Sequence, residues 1–589
     1  LSVGAEGSFN YIPKNGTPSY LTDFSGGMNI SVFCYPLSRL MIQGGIGTGI
    51  YYANYEFPGI LDSSGQNYEP GKSPQNIPYG SFYLKAFFDA AFRINPNLSV
   101  GAEIGYSNFF KKSFSFNDVF LAGPDFGMVL KYTFDTNKYS KNIQADVIQD
   151  DSIFPVYAKV YKENGFAYAD IINNESSYIR YVKVYFRAQN YTDSLFPSGE
   201  IPLIRKGKSV SIPLLADFSK EIASFTENGQ IPGEIIVEYD LLGKKRTATE
   251  TCVLDVYNRN AMRWADPAVI SMFVSPNANE VLELSKYLVG IARDSLKSGL
   301  ERNMQFGIWI VEGINLLGID YVPGVTTPYS TYHLDLEQID TVQFPFQTLT
   351  YKSGDADDLG VLISALLQSV GIETAVIPLT DDFVVCISLS VSEIGASSVV
   401  NKSESLLYCN NQTWLPLSMK NIKKGFYGAW TEALNEIANE ENGAELIVMQ
   451  DAWASYPALG ISGKATYEKS NPNELKKKAE SETAKYIQNE IQPKIKAQIA
   501  LVNSNPSEKN LNTLGLLYVR SGEYKLAKET YNRSAKSGSI SAMTNLANIA
   551  ILEKDYATAK SWYEKVLEKN PSHSGAKKGL ERIASETGN

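Results

Sequence analysis

Few side chains in this sequence could act as nucleophiles, bases or metal ligands. The 589 residues include four cysteines and only two histidines. The cysteines are Cys34, Cys252, Cys386 and Cys409, and the histidines are His333 and His573. No two cysteines form a C-x-x-C pair, which excludes a zinc ribbon and a thioredoxin-like redox motif. Two distant histidines also argue against a histidine-rich metal centre or a histidine-based active site.

Cys386 and Cys409 lie close enough in sequence to occupy adjacent strands. They could form a disulfide, or both could be small buried hydrophobic residues, and the second interpretation is favoured. Cys386 stands in the apolar run 383–387, and no histidine lies between His333 and His573. Because a thiol without a neighbouring imidazole is a weak nucleophile, Cys386 is not expected to be catalytic.

An acidic run, Asp355, Asp357 and Asp358, precedes an apolar stretch that predicts a buried helix. Clustered carboxylate oxygens are the ligands that calcium prefers. The simpler interpretation is that Asp355 caps the helix and that the other two acids complement its dipole. We therefore expect no metal and no cofactor, and we keep calcium as the weaker alternative at these three residues.

The chain around these acids resembles the papain-like core of bacterial transglutaminase-like proteins. It runs from Asp340 through Ser353-Gly-Asp-Ala-Asp-Asp358 into an apolar helix that ends near Gly371, and the strand 374–378 follows. In that family a Gly-Asp-Cys-Asp/Glu-Asp segment opens a buried helix, and a Gly-Ile-…-Ala-Val strand comes next. The resemblance implies a transglutaminase-like α+β domain over residues 258–440.

The resemblance also implies a Cys–His–acid triad, and this sequence lacks all three members. Ala356 stands at the nucleophile position, Asp382 at the base position and Ser418 at the position of the orienting acid. Alanine cannot attack a carbonyl, and the missing histidine removes the base. An engineered Cys→Ala exchange would have kept the histidine, so a natural pseudoenzyme is favoured. The alternative is a cysteine peptidase or amidase whose catalytic residues lie elsewhere in the alignment.

Residues 1–135 alternate between apolar and polar side chains over long segments. Between Ser81 and Ile94 the even-numbered positions are apolar or aromatic, whereas Lys85, Asp89 and Arg93 lie on the other face. This pattern resembles the small outer-membrane β-barrels of Gram-negative-type bacteria, which are apolar outside and polar inside. Six such segments are predicted, fewer than the eight strands of the smallest single-chain barrels. A strand pair before Leu1, two further strands within 56–80, or a barrel shared by several chains would account for the difference. A soluble adhesin sandwich on the cell surface is the alternative.

The turn lengths predict an orientation for this barrel. The turns at 36–38 and 95–97 are tight, whereas the stretches 13–22, 56–80 and 111–118 are longer. Short turns of outer-membrane barrels face the periplasm. We therefore expect outer-membrane lipid around residues 1–135 and periplasmic domains downstream, in a Gram-negative-type or spirochaete-like envelope. Regularly spaced strand segments over residues 150–257 predict an immunoglobulin-like β-sandwich.

Residues 465–589 are predicted to be helical and contain an internal repeat. Its most visible members are tyrosines and small residues at an offset of 32 positions, as in Tyr524 and Tyr556. This pattern resembles tetratricopeptide repeats, which stack helix pairs around a concave binding face. The candidate partner-binding residues are the tyrosines Tyr518, Tyr524, Tyr531, Tyr556 and Tyr563.

The sequence thus predicts a multidomain chain: a β-barrel, a β-sandwich, an α+β transglutaminase-like domain and an α-helical tetratricopeptide solenoid. The net charge of −10 argues against a nucleic-acid partner. The predicted function is a non-catalytic scaffold, anchored in the outer membrane, whose repeats bind other envelope proteins. The inactive cleft is a candidate site for a peptide or a peptidoglycan stem.

Overall fold

The structure is a computed structural model. It describes residues 2–13, 20–37, 39–61, 68–94, 98–110, 123–132, 141–324, 335–380, 382–441 and 443–587. His333, the turn at 95–97 and the loop at 111–118 lie outside these ranges. Among the described residues, no helix combines the length and the apolar character that crossing a membrane requires.

The N-terminal region is one antiparallel sheet of six strands in sequence order. Its strands are β1 (Ser2–Pro13), β2 (Tyr20–Leu37), β3 (Leu40–Leu61), β4 (Tyr68–Arg93), β5 (Leu98–Phe109) and β6 (Gly123–Tyr132). The sheet is strongly curled. Lys131 Nζ on β6 donates a hydrogen bond to Gln43 Oε1 on β3 at 2.5 Å, across the two strands that lie between them. In the described residues β1 and β6 are its two edges, so the predicted closed barrel is present as a half-barrel.

The stretch 56–80 differs from the predicted long loop. Residues 56–61 and 68–80 continue β3 and β4, which reach 22 and 26 residues. The prolines and glycines of this stretch are turn signals in a sequence. In the structure they are accommodated by a register shift between Phe57 and Gly59, as a β-bulge allows.

Residues 143–256 form two larger sheets that pack face to face and one small two-stranded sheet. The strands are β7 (Ile143–Ile148), β8 (Ala167–Asn173), β9 (Ile179–Arg187), β10 (Thr192–Ser194), β11 (Phe196–Ile204), β12 (Ser209–Leu214), β13 (Asp217–Phe218), β14 (Gly229–Leu241) and β15 (Lys244–Val256). One sheet has the order β11-β9-β14-β15 and the other β12-β8-β7. Phe166, beside β8, meets Phe186 of β9 edge to face at 4.9 Å, which closes the core between the sheets.

The next region places helices on both faces of a five-stranded sheet with the order β22-β23-β21-β20-β24. Its helices are α1 (Asn279–Ala292), α2 (Arg302–Leu316), α3 (Pro345–Tyr351), α4 (Ala356–Ser369), α5 (Glu393–Ala396), α6 (Phe426–Asn439) and α7 (Met449–Ser455). Its strands are β16 (Ala261–Arg263), β17 (Asp320–Tyr321), β18 (Ile339–Thr341), β19 (Ser353–Gly354), β20 (Thr374–Pro378), β21 (Phe383–Leu389), β22 (Leu407–Cys409), β23 (Gln412–Ser418) and β24 (Ile447–Val448). We call residues 258–455 the central module.

The two faces of this sheet are distinguished by β21. Phe383 and Val385 lie against Gly360 of α4, whereas Val384 and Cys386 share an apolar cluster with Ala433 of α6. Successive residues of a strand point to opposite faces. The odd positions of β21 therefore face α4, and the even positions face α6.

The C-terminal tail consists of antiparallel helices. They are α8 (Pro472–Tyr486), α9 (Gln492–Ser504), α10 (Glu508–Ser521), α11 (Tyr524–Lys536), α12 (Ile540–Leu552), α13 (Tyr556–Lys569) and α14 (Ser574–Thr587), with a π-helical turn between α8 and α9. Ser507 and Ser539 cap α10 and α12 with their side chains, and Gly522 ends α10 in the left-handed region at φ 81°.

The tail is joined to the central module by polar contacts of buried and half-buried side chains. Glu482 of α8 accepts a hydrogen bond from the main-chain N–H of Tyr427 at 3.0 Å. Glu490 accepts from the Tyr427 hydroxyl at 2.8 Å, and Arg520 of α10 donates to the carbonyl of Ser398 at 2.6 Å. The carboxylates lie at the N-terminus of α6, where the helix dipole favours negative charge.

Candidate functional sites

The first candidate site is the start of α4, where the nucleophile position holds Ala356. Its side chain is fully buried. One turn further along the same helix, Gly360 lies against the ring of Phe383, and that ring is 6.1 Å from Trp264. Both aromatic residues are also buried. The start of α4 is therefore closed to solvent, and the helix packs against Phe383 one turn further along.

The structure brings Asp382 and Ser418 together but separates them from Ala356. The Ser418 hydroxyl donates to Asp382 Oδ2, and Asp382 Oδ1 accepts from the main-chain N–H groups of Phe383 at 2.7 Å and Lys420 at 2.8 Å. Both are on the α6 side of the sheet, because Ser418 pairs with Val384 in register. The residue of β21 that faces α4 is Phe383. The three degenerate positions thus do not form one constellation.

A cavity of about 400 Å³ opens beside Asp382 on the α6 side. Its lining is acidic and includes Asp382, Glu436, Glu440 and Glu441. Burial, followed by the neighbouring Asp382 carboxyl, raises the pKa of Glu436 to about 8. Asn421 links this group to Ser418 by donating to both side chains, at 2.9 and 3.0 Å. The sequence offered no signal for Glu436, which lies a full helix away from the motif.

The acidic run lies at the first turn of α4 as predicted for a helix start. The main-chain N–H of Asp355 donates to Asp358 at 3.3 Å, and Gln343 donates to Asp358 through its main chain at 2.7 Å and its side chain at 2.6 Å. Carboxylate oxygens of Asp355, Asp357 and Asp358 lie within 4.8 Å of one another. Burial is the main cause that raises the pKa of Asp358 to about 8 and that of Asp357 well above its ordinary range.

All four cysteines are free thiols. The disulfide between Cys386 and Cys409 is therefore absent, and Cys386 is a buried apolar residue. Burial raises the pKa of the Cys386 thiol far above neutrality. Such a thiol has almost no thiolate at neutral pH.

The second candidate site is a groove of about 290 Å³ along the tail. Leu516 and Val519 of α10, Leu552 of α12 and Arg582 of α14 contribute to its lining. The loop residues at 298 and 299 of the central module form one end of the groove, and Gly299 lies so close to the Arg520 main chain that a Cβ atom there would be 2.9 Å away.

Family comparison explains the geometry of these helices. Residues 509–537 and 540–573 match the model of the tetratricopeptide repeat family. The tail contains two tetratricopeptide repeats. The matched segments correspond to the pairs α10–α11 and α12–α13, and α14 packs on the second pair. No curated protein matches the chain.

The five predicted partner-binding tyrosines lie mostly inside the repeats. Tyr518, Tyr531 and Tyr563 are buried, and Tyr524 and Tyr556 are half-buried against the core. Gly515 and Gly579 lie directly against the Tyr531 and Tyr563 rings. Tyr531 and Tyr563 nevertheless line the groove with their buried rings, and its exposed side chains include Leu516, Asn548, Leu552 and Arg582. The repeat spacing predicts the packing tyrosines, whereas the exposed groove residues follow no such pattern.

The half-barrel is a third candidate surface, because its convex face exposes apolar side chains and its concave face carries charged ones. Phe88, Met128 and Leu130 are more than half exposed on the convex face. On the concave face Asp89 is buried and forms an ion pair with Lys131 at 2.5 Å. A sheet in water buries its apolar face, whereas a membrane strand turns it toward lipid.

Proposed function

We propose that this chain is a non-catalytic scaffold that binds a protein partner through its tetratricopeptide repeats and is attached to an outer membrane by residues 2–132. The observation that carries the proposal is the pair of repeats at 509–573. Stacked repeats of this kind present a concave surface to other proteins. Exposed leucines beside polar side chains give the groove the mixed character of a protein interface.

The central module supports a non-catalytic role. Its nucleophile position is the buried Ala356, one helical turn before Gly360, which packs against Phe383. The thiol of Cys386 is buried on the other face of the sheet. An activated cysteine requires both access and a group that stabilises the thiolate. The module is therefore proposed to hold the repeats and the sandwich in place, and a peptide or peptidoglycan stem is not a favoured ligand of the α4 start.

The half-barrel supports the membrane attachment. Large apolar side chains cover its convex face, including Phe82, Ile104 and Phe126, and no other described element packs over that face. Its concave face carries the ion pairs of Lys85 with Glu103 and Asp125. A soluble adhesin sandwich would require the opposite arrangement. With short turns on the periplasmic side, the downstream domains would lie in the periplasm.

Site-specific photo-crosslinking in the native membrane tests the partner-binding role. A photoreactive residue at position 516 is expected to yield a discrete crosslinked protein, and Leu552→Arg should abolish that product by placing a charge in the groove. The matched control is Leu526→Arg, because Leu526 is an exposed leucine of α11 outside the groove. Equal loss in both variants, or no crosslink in either the parent or the control, would contradict the proposal.

A thiol-reactive probe distinguishes the scaffold from a cysteine peptidase. We expect Cys386 to stay unlabelled at pH 7 in the folded chain and to react only after denaturation, because it is fully buried. Fast, stoichiometric labelling of one cysteine in the native protein would support the enzyme instead. Recovery of residues 1–140 as a soluble protein without detergent would favour the adhesin over membrane attachment.

A further inference from the structure

The first turn of α4 contains more hydrogen-bond acceptors than donors. Four carboxyl groups meet there, since Asp357 faces the carboxyl groups of Asp355, Asp340 and Asp358. Asp340, Asp357 and Asp358 are all buried. Buried carboxylates in proteins are normally paired with a cation or fully hydrogen-bonded.

Hydrogen bonds satisfy only part of this cluster. Trp264 Nε1 donates to Asp340 Oδ2 at 2.6 Å, and the main-chain N–H of Thr341 donates to Asp340 Oδ1 at 2.7 Å. Gln343 uses its main-chain N–H and its side-chain amide for Asp358. Asp340 and Asp358 therefore have donors on both oxygens.

The remaining oxygens have no such donors. Asp357 is 0 % exposed, and its Oδ1 accepts from the main-chain N–H of Asp358 at 2.8 Å. Its Oδ2 has no N–H or hydroxyl donor, and the groups that Asp357 faces are the carboxyl groups of Asp355 and Asp340. Asp355 Oδ1 and Gln343 Oε1 are likewise buried acceptors without a donor. In the described part of the chain, no ion pair involves this cluster.

A bound cation would satisfy these three acceptor oxygens and offset the negative charge that is buried around them. We propose that Asp355, Asp357 and Asp358 bind one divalent cation, with calcium as the ion that fits best. The Gln343 side-chain oxygen would be a neutral fourth ligand. The ion would fix the loop that follows β18 to the start of α4 and replace the catalytic role of this helix end by a structural one.

The spacing of the oxygens suits calcium. The carboxylate oxygens of the three aspartates lie within 4.8 Å of one another, which permits one ion to contact all three at calcium–oxygen distances of ~2.3–2.6 Å. Magnesium, at ~2.0–2.1 Å, would require a tighter and more regular set. The helix N-terminus opposes a cation, but its partial charge of about +0.5 is smaller than that of three carboxylates.

Access to the ion would be through Asp355. Its side chain is half-buried, whereas Asp357 and Asp358 are enclosed. Trp264 is connected to the cluster through Asp340. A lanthanide in this site should therefore show luminescence excited through the indole, which gives a readout independent of protein stability.

Metal binding to the full-length, chelator-treated chain in detergent tests the proposal. We expect one calcium ion per chain by isothermal titration calorimetry, terbium luminescence sensitised by tryptophan, and an increase of ~3–8 °C in the unfolding midpoint at saturating calcium. Asp357→Asn keeps the shape of the side chain and should weaken calcium binding at least tenfold. Asp451→Asn is the control, because Asp451 is an exposed first-turn acid of α7.

Two outcomes would overturn the proposal. In one outcome, calcium gives no heat of binding and terbium no sensitised luminescence with the parent chain, which would mean that the carboxyl groups are simply protonated. The other is equal calcium affinity in Asp357→Asn and the parent. If Asp357→Asn does not fold, Asp355→Asn replaces it, since Asp355 is only half-buried, and an unchanged affinity there has the same meaning.

Discussion

The half-barrel and the helical tail arrange the same kinds of side chain in opposite ways. In the half-barrel, Met128 is 87 % exposed while Asp89 is 1 % exposed. In the tail, Tyr531 is 1 % exposed, and Lys528 forms its ion pair with Glu553 at the surface. Because apolar surface is favourable in lipid and costly in water, the first arrangement suits a lipid environment and the second suits water. The comparison predicts that matched substitutions have different effects in the two regions.

The largest difference should come from the ion pairs. Lys131→Met leaves the buried Asp89 without its partner, and removing one member of a buried pair costs ~3–5 kcal/mol. Lys528→Met breaks an exposed pair and should cost less than ~1 kcal/mol. Unfolding of both variants in detergent micelles by denaturant measures the two values. Equal, small effects would mean that the concave face of the half-barrel is open to water.

A charge on the convex face is the second test. Phe88→Arg should lower the free energy of unfolding in lipid vesicles by ~2–4 kcal/mol if Phe88 lies near the bilayer centre. Val253 on the sandwich is similarly exposed, so Val253→Arg should change stability by less than ~0.5 kcal/mol. Refolding into vesicles followed by protease protection measures the first effect. A Phe88→Arg variant that inserts as well as the parent would place this face in water.

Sequence periodicity predicted the elements of both regions but not the facing of the site. The alternation around Phe88 and the repeat spacing of Tyr531 and Tyr563 each record packing that recurs along the chain. Even-numbered positions at β21 face α6, and this places Asp382 on that side of the sheet. A shift of one residue in the alignment would move the side chain to the other face. Glu436 joins Asp382 only through tertiary packing of α6, which no local pattern encodes.

The third test concerns Glu312, a carboxyl group that is buried in the central module. Burial raises the pKa of Glu312 to about 7, with Glu482 adding to the shift and Lys478 and Lys485 opposing it. The folded carboxyl therefore holds its proton at pH values where the unfolded one, at about 4.3, has released it. The contribution of Glu312 to the free energy of unfolding is fully present below the unfolded pKa and is lost as the pH rises through about 7.

Glu312→Gln isolates this contribution. The glutamine oxygen can still accept from the main-chain N–H of Phe426, which is 3.0 Å from the carboxylate in the parent. We expect the variant to gain ~2–3 kcal/mol over the parent at pH 8 and to equal it near pH 4. Thermal unfolding across this pH range provides the measurement. A constant difference at all pH values would mean that the effect is packing rather than protonation.

The smallest expected effect tests the packing of the repeats. A Cβ atom at Gly515 would lie 2.4 Å from the Tyr531 ring, and that ring is buried, so Gly515→Val must displace it. Overpacking of this kind costs ~1–3 kcal/mol.

At Gly290, an exposed position of α1, a Cβ atom meets nothing within 4 Å, and Gly290→Val should be neutral or slightly stabilising. If both variants unfold at the same denaturant concentration, the helices α10 and α11 are farther apart than the glycine–tyrosine contact implies. If only Gly515→Val is destabilised, the close approach that shapes the groove depends on that glycine.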